Sequence, residues 1–135
     1  MYLFKTSGTT INSVIQNGRH AFASAPRDWS IGELVLVSKN KRDCRLSEKQ
    51  IQFTMVLRDV RRIVPGEAER FWPGNEGRWN FLVLCDDVRE ILEPFDLQDV
   101  PGIDPNHYAP VVTFKRFDPN DERNMETYLR RVGAL

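Results

Sequence analysis

The stretch IQFTMVLRDVRRI, residues 51–63, alternates Ile51, Phe53, Met55 and Leu57 with Gln52 and Thr54. Successive side chains of a strand point to opposite faces, so this pattern predicts a half-buried antiparallel strand. Its counterpart is RWNFLVLCDDVREI, residues 78–91. Here Trp79, Phe81, Val83 and Cys85 fall on one side and Leu82 and Leu84 on the other. Apolar residues on both faces mark a central strand covered twice. Working outward, YLFKT (2–6), HAFAS (20–24), ELVLVSK (33–39) and APVVTFKRF (109–117) read as further strands. The segments APRDWS (25–30) and NKRDCRLSEK (40–49) read as a turn and a basic loop.

Two helices frame these strands. TTINSVIQNG (9–18) has a Thr cap, an Ile11, Val14 and Ile15 face, and Gly18 at the left-handed stop. DPNDERNMETYLRRVG (118–133) has Asp118 as cap, Pro119 in the first turn and acids near its positive end. Arg130 and Arg131 lie near its negative end, and Met125, Tyr128, Leu129 and Val132 form a buried stripe. Strands in the middle with one helix early and one late predict an α+β fold. The expected core is an antiparallel sheet curled into a barrel. At 135 residues, with no internal repeat or low-complexity linker, residues 1–135 are expected to form one domain.

Composition narrows the function. The longest apolar runs, LVLV and FLVLC, are too short to span a bilayer. No secretory leader pattern stands at the N-terminus. The two cysteines, Cys44 and Cys85, read as reduced thiols of a cytoplasmic protein. The zero net charge conceals a gradient. Residues 1–78 carry 13 Lys/Arg against 8 Asp/Glu, and residues 79–135 carry 6 against 11. The stretch 39–62 holds eight basic residues against three acidic ones, a surplus suited to phosphates.

Catalytic patterns are missing. There is no phosphate-binding loop, dinucleotide turn or zinc-protease helix. His20 and His107 lack ligand partners at zinc spacing, so neither a metal site nor a cofactor is expected. Asp86 and Asp87 are adjacent on a strand and point apart. None of Ser7, Ser13, Ser24 and Ser30 stands in a motif that would activate it. The sequence therefore reads as a binding module and not an enzyme.

Several local words resemble the YTH domain, within the PUA-like group that also holds EVE and ASCH domains. LFKTS (3–7) is similar to the strand that opens YTH domains, followed by a short helix ending in SVIQNG and then by AFAS (21–24). ELVLVSKNK (33–41) and IQFTMVLRDV (51–60) take the places of the next two strands. RFWPGNEGRWNFLVLCDDV (70–88) resembles the Trp-containing loop and the strand after it, and CDDVRE echoes the EVE family. Phe22 stands where YTH domains usually carry tryptophan, and Thr54 and Met55 stand where they have a glycine strand word.

The resemblance implies a PUA-like curled sheet that holds one modified base, flipped from its strand, in an aromatic cage. N6-methyladenine or a substituted cytosine, in DNA or RNA, is the implied occupant. Carried over position by position, Phe22 and Trp72 are the walls and Ser7 and Ser24 supply edge contacts; the family's third wall has no clear counterpart, and Trp29 or Pro73 could serve for it. Trp79 falls on a structural tryptophan. Extruding a base costs a few kcal/mol, and stacking on an aromatic face returns about 1–3 kcal/mol. Lys41, Arg42, Arg45, Arg61 and Arg62 are the expected phosphate contacts. Within ERFWPGNEGRW (69–79), Phe71 is expected to pack inward and Trp72 to face the ligand.

Two alternatives stand beside this reading. One is an ASCH-like RNA-binding or RNA-processing domain, marked by a Lys/Arg/Tyr cluster lining a cleft. The other is a protein-interaction module using the Trp72 loop, with Glu67, Glu69 and Glu76 flanking a cage for a methylated lysine. A larger restriction or RNA-processing assembly is a possible setting, and no membrane partner is expected.

Overall fold

The computed structural model describes residues 1–24, 29–111 and 113–135. Its elements are β1 (Tyr2–Thr6), α1 (Ile11–Asn17), β2 (Arg19–Phe22), β3 (Leu34–Lys39), β4 (Ile51–Arg62), α2 (Glu67–Phe71), β5 (Phe81–Phe95), β6 (Phe114–Arg116) and α3 (Pro119–Arg131). Short 3₁₀ turns stand at Lys41–Asp43, Leu97–Asp99 and Pro105–His107. The six strands form one sheet in the order β2-β5-β4-β3-β1-β6.

The expected α+β architecture is present, with one change. The sheet is mixed, because β1 runs parallel to β3, Tyr2 opposite Val35 through Thr6 opposite Lys39. The cause is α1 and β2: the chain leaves β1, turns through α1 and crosses to the far edge before returning as β3. The sheet curls until its two edge strands approach. The Phe22 ring of β2 lies 6.0 Å from the Phe114 ring of β6.

Alternation along β1 and β3 sends side chains to two separate cores. Tyr2, Phe4, Val35 and Val37 meet Ile11 and Val14 of α1. Leu3 and Leu36 meet Met125 and Leu129 of α3 and the buried Tyr108. Thr54, expected on a wet face, is 3% exposed because this second face is covered too. The same alternation in β5 holds Val83 in the α1 core and Leu82 in a third cluster with Ala21 and Trp72. The start of β5, at Leu82 and Val83, is thus covered on both faces, as its sequence predicts, whereas Asp86, Asp87, Arg89, Glu90 and Leu92 are exposed; the strand pairs with β2 and β4. Trp79 precedes the strand and packs with Leu82, not on the expected Val83 side.

Gly18 fixes where α1 ends and β2 begins. Its φ is +62°, and an added Cβ would meet the Cys85 carbonyl oxygen at 2.4 Å. Its carbonyl accepts from Cys85 N at 2.6 Å, so the helix stop is fastened to β5. No other residue type fits that conformation and that contact without a backbone shift.

The strand read at 109–117 shortens to Phe114–Arg116; within that reading, residue 112 lies outside the described residues, as do residues 25–28 of the APRDWS turn. Among the described residues, no helix is long and apolar enough to cross a membrane.

Candidate nucleic-acid interface

Two hollows matter, one on each face of the sheet. The first is an open cleft of about 650 Å³ on the α3 face. Leu3 and Lys5 of β1 and Ser38 of β3 form its floor, the Lys41–Asp43 turn carries Lys41 and Arg42 to one rim, and Asp96, Asn106 and Tyr108 belong to the other. Lys41 and Arg42 are exposed. The Lys5 ammonium donates to the Tyr108 carbonyl oxygen at 2.8 Å, and burial lowers its pKa. Asp96 is already engaged: Oδ1 accepts from Gln50 N at 2.8 Å and Oδ2 lies 3.6 Å from Lys49 Nζ. Three cations against one occupied carboxylate leave this cleft net positive.

The Tyr108 phenol does not face the cleft as a free group. It donates to Asp121 Oδ2 and accepts from Asp118 N. Burial, and then the Asp121 carboxylate, raise its pKa.

The second hollow is a small cavity of about 10 Å³ on the α1 face, between edge strands β2 and β6. Phe4, His20, Phe22 and Phe114 put four rings around it, and Val83, Cys85 and Arg19 complete much of the lining. The His20 ring is edge-on to Phe4 at 4.6 Å and to Phe22 at 4.9 Å. Its Nδ1 is buried and has no hydrogen-bond partner. A buried polar atom left unpaired costs about 1–3 kcal/mol. Burial lowers the His20 pKa to about 4, so the imidazole is neutral at ordinary pH. Burial likewise raises the Cys85 thiol to about 12.

The expected site residues do not converge. Phe22 lines the cavity. Trp72 lies on the other face, packed on Ala21, Leu82, Phe71 and Trp79, with the His20 ring 6.5 Å away. The division expected of the loop is reversed: Trp72 is 8% exposed and Phe71 half-buried. The reason is α2, a single turn that aims Trp72 at the sheet and leaves Phe71 under the guanidinium of Arg19, 4.2 Å from the ring centroid. Ser7 bonds Thr9 and Thr10 at the start of α1. Ser24 is exposed, and so is Trp29, at 39%.

The basic residues divide as well. Lys41 and Arg42 line the cleft, while Arg45 is exposed beyond it. Arg61 is held bidentate by Glu67, at 2.9 and 2.6 Å, and Arg62 lies over the Phe81 ring at 5.2 Å. The carboxylates proposed to flank a cage build the loop itself. Glu67 holds Arg61, Glu69 accepts from Gly74 N, and Glu76 accepts from Gly66 N and Glu69 N. Among the described residues, no group of three or more His, Cys, Asp or Glu side chains is placed to hold a metal ion.

Sequence reasoning missed the roles of Lys5, Tyr108 and His20. Lys5 was legible as a lone cation on the second face of β1, beside Leu3. The unpaired His20 nitrogen left no pattern.

No family model matches the sequence, and no curated protein does. Among solved structures, the crystal structure of ASCH from Zymomonas mobilis aligns with a TM-score of 0.64 at 9% identity, covering 93% of this chain and 93% of that one. A tyrosine-to-phenylalanine mutant of the same protein aligns with a TM-score of 0.60 at 8% identity, covering 93% and 96%. The chain therefore has the PUA-like fold that these ASCH domains share.

Proposed function

We propose that the chain is a binding module for single-stranded RNA and lays the strand in the cleft between Lys5, Lys41 and Arg42. The observation that carries this reading is the cleft itself: open, lined by three cations, and with its one carboxylate occupied. Phosphates neutralised there release counterions, a favourable term that weakens with salt. The Lys/Arg/Tyr composition agrees with an ASCH-like role, although Tyr108 contributes through its carbonyl. The module binds and does not cleave. In support, Lys5 is already bonded and the Tyr108 hydroxyl is turned to Asp121.

The test is fluorescence anisotropy with a labelled unmodified RNA, the same sequence as DNA, and a gel for strand cleavage. Binding to RNA that falls at least tenfold in Lys41→Ala/Arg42→Ala, with intact strands on the gel, supports the proposal. Equal binding by that variant removes the cleft from it, and cleavage by the pure protein makes it an enzyme.

The proposal has a finer form, in the spirit of the YTH- and EVE-like words: a modified base leaves its strand and enters an aromatic pocket. What supports it is the ring-lined cavity at Phe22, on the face opposite the cleft. A strand serving that pocket would pass the β2–β6 edge.

A further inference from the structure

We infer that the cavity between β2 and β6 is a pocket for a small, neutral, planar nitrogen heterocycle, and that His20 is the residue that reads it. The inference deepens the finer reading above and rests on it for the pocket's place.

The walls come first. Phe4, His20, Phe22 and Phe114 make ring pairs at centroid distances of 4.6 to 6.3 Å, each pair tilted or edge-on. Such rings offer faces and edges to a flat guest. Val35, Met55, Val83 and Cys85 offer no charge, and Arg19, the one charged wall, is already engaged, over the Phe71 ring at 4.2 Å and 3.8 Å from Glu67. An ionised guest would find no free counter-charge here, so the guest is neutral.

The seam comes second. Strands β2 and β6 end the sheet on opposite sides, β2 pairing with β5 and β6 with β1. Across the seam the Phe22 and Phe114 rings meet at 6.0 Å, and among the described residues β2 and β6 are not paired as strands. Parting the seam displaces ring contacts and breaks no ladder hydrogen bond. A cavity now the size of one water therefore has a route to admit a ring.

His20 comes third. His20 Nδ1 is the one buried side-chain nitrogen or oxygen among the described residues without a hydrogen-bond partner, and a single such partner is fewer than the two to four that buried waters ordinarily have. A phenylalanine would fill the position without an unpaired atom. The imidazole is useful there only to a guest with a hydrogen-bonding edge. Its lowered pKa, about 4, keeps it neutral, with one ring nitrogen as donor and the other as acceptor.

The experiment follows the His20 imidazole nitrogens by ¹H–¹⁵N NMR during titration with adenosine, N6-methyladenosine, cytidine and 5-methylcytidine. A parallel arm uses an eight-nucleotide RNA carrying one N6-methyladenosine, which separates a free heterocycle from a base in a strand. We expect a saturable shift with at least one compound, and an affinity, read in parent and variant alike from the backbone amide shifts of β2 and β6, weakened at least tenfold in His20→Phe, a variant expected to melt no lower than the parent. Should that variant misfold, Cys85→Met, which fills the cavity from behind, is expected to show the same loss. If a compound binds the seam and His20→Phe binds it equally, His20 is not the reader, though the pocket stands. If neither nucleosides nor the modified strand move the His20 signals, the pocket falls with the finer reading. RNA binding in the cleft survives both outcomes.

Discussion

The cleft and the cavity lie on opposite faces of one sheet and differ in every physical respect. The cleft is wide and wet, and its cations stand on loop and strand positions that bear little of the fold. The cavity is small and ring-lined, the buried His20 Nδ1 is unpaired, and every wall but Arg19 and His20 belongs to or packs on the α1 core. Alternation along the strands is what separates them: Leu3 and Lys5 face one way, Tyr2 and Phe4 the other. A surface can collect charge at small cost to stability, whereas a pocket inside the core changes stability whenever its chemistry changes.

That contrast can be broken most forcefully at Trp72. Because its ring is buried on Ala21 and Leu82, Trp72→Ala is expected to lose about 3–5 kcal/mol in urea unfolding. RNA affinity of the folded protein should hold. A stable variant that no longer binds RNA would return Trp72 to the role of ligand wall.

The next largest effect belongs to His20. Its imidazole titrates near 6.5 in the unfolded chain and at about 4 in the fold. Between those values the unfolded state binds the proton and the folded state does not. Stability present above pH 6.5 is therefore lost as pH falls toward 4, by about 3 kcal/mol over the window. Carboxylates also titrate near its lower end, so the measurement is the difference between parent and His20→Phe in denaturant melts across pH 4–7. At neutral pH the variant should gain about 1–3 kcal/mol by removing the unpaired nitrogen. A flat difference across pH would mean that the nitrogen is not buried.

Arg61 sharpens the comparison from the other side. It belongs to the basic stretch but is clamped by Glu67, whose pKa the Arg61 hydrogen bonds lower. Arg61→Ala is expected to cost about 1 kcal/mol of stability and to leave the salt dependence of RNA binding unchanged in an anisotropy series.

Much of the fold was legible. The alternation at 51–57 and the two-sided run at 81–85 fixed the central strands, and Gly18 and Asp118–Pro119 marked the helix boundaries. The parallel β1–β3 pair was not legible, since nothing local says that the chain crosses to the far edge before β3. The aromatic loop misled for a physical reason. A five-residue helix turns its aromatic pair, so the ring next to Pro-Gly went inward and its neighbour outward. The site was legible only as charge at Lys41 and Arg42. The cleft needed Lys5, Asn106 and Tyr108 from distant segments, and the cavity needed two edge strands to meet.

The most direct test of the central claim is the salt dependence of unmodified single-stranded RNA binding, compared between the parent and Lys41→Ala/Arg42→Ala. Each single-strand phosphate contact contributes about 0.7 to the slope of log K against log salt. The account predicts that the double variant lowers the slope by about 1.4 while its melting temperature stays within a degree or two of the parent. An unchanged slope with full affinity would show that the strand does not lie in the cleft.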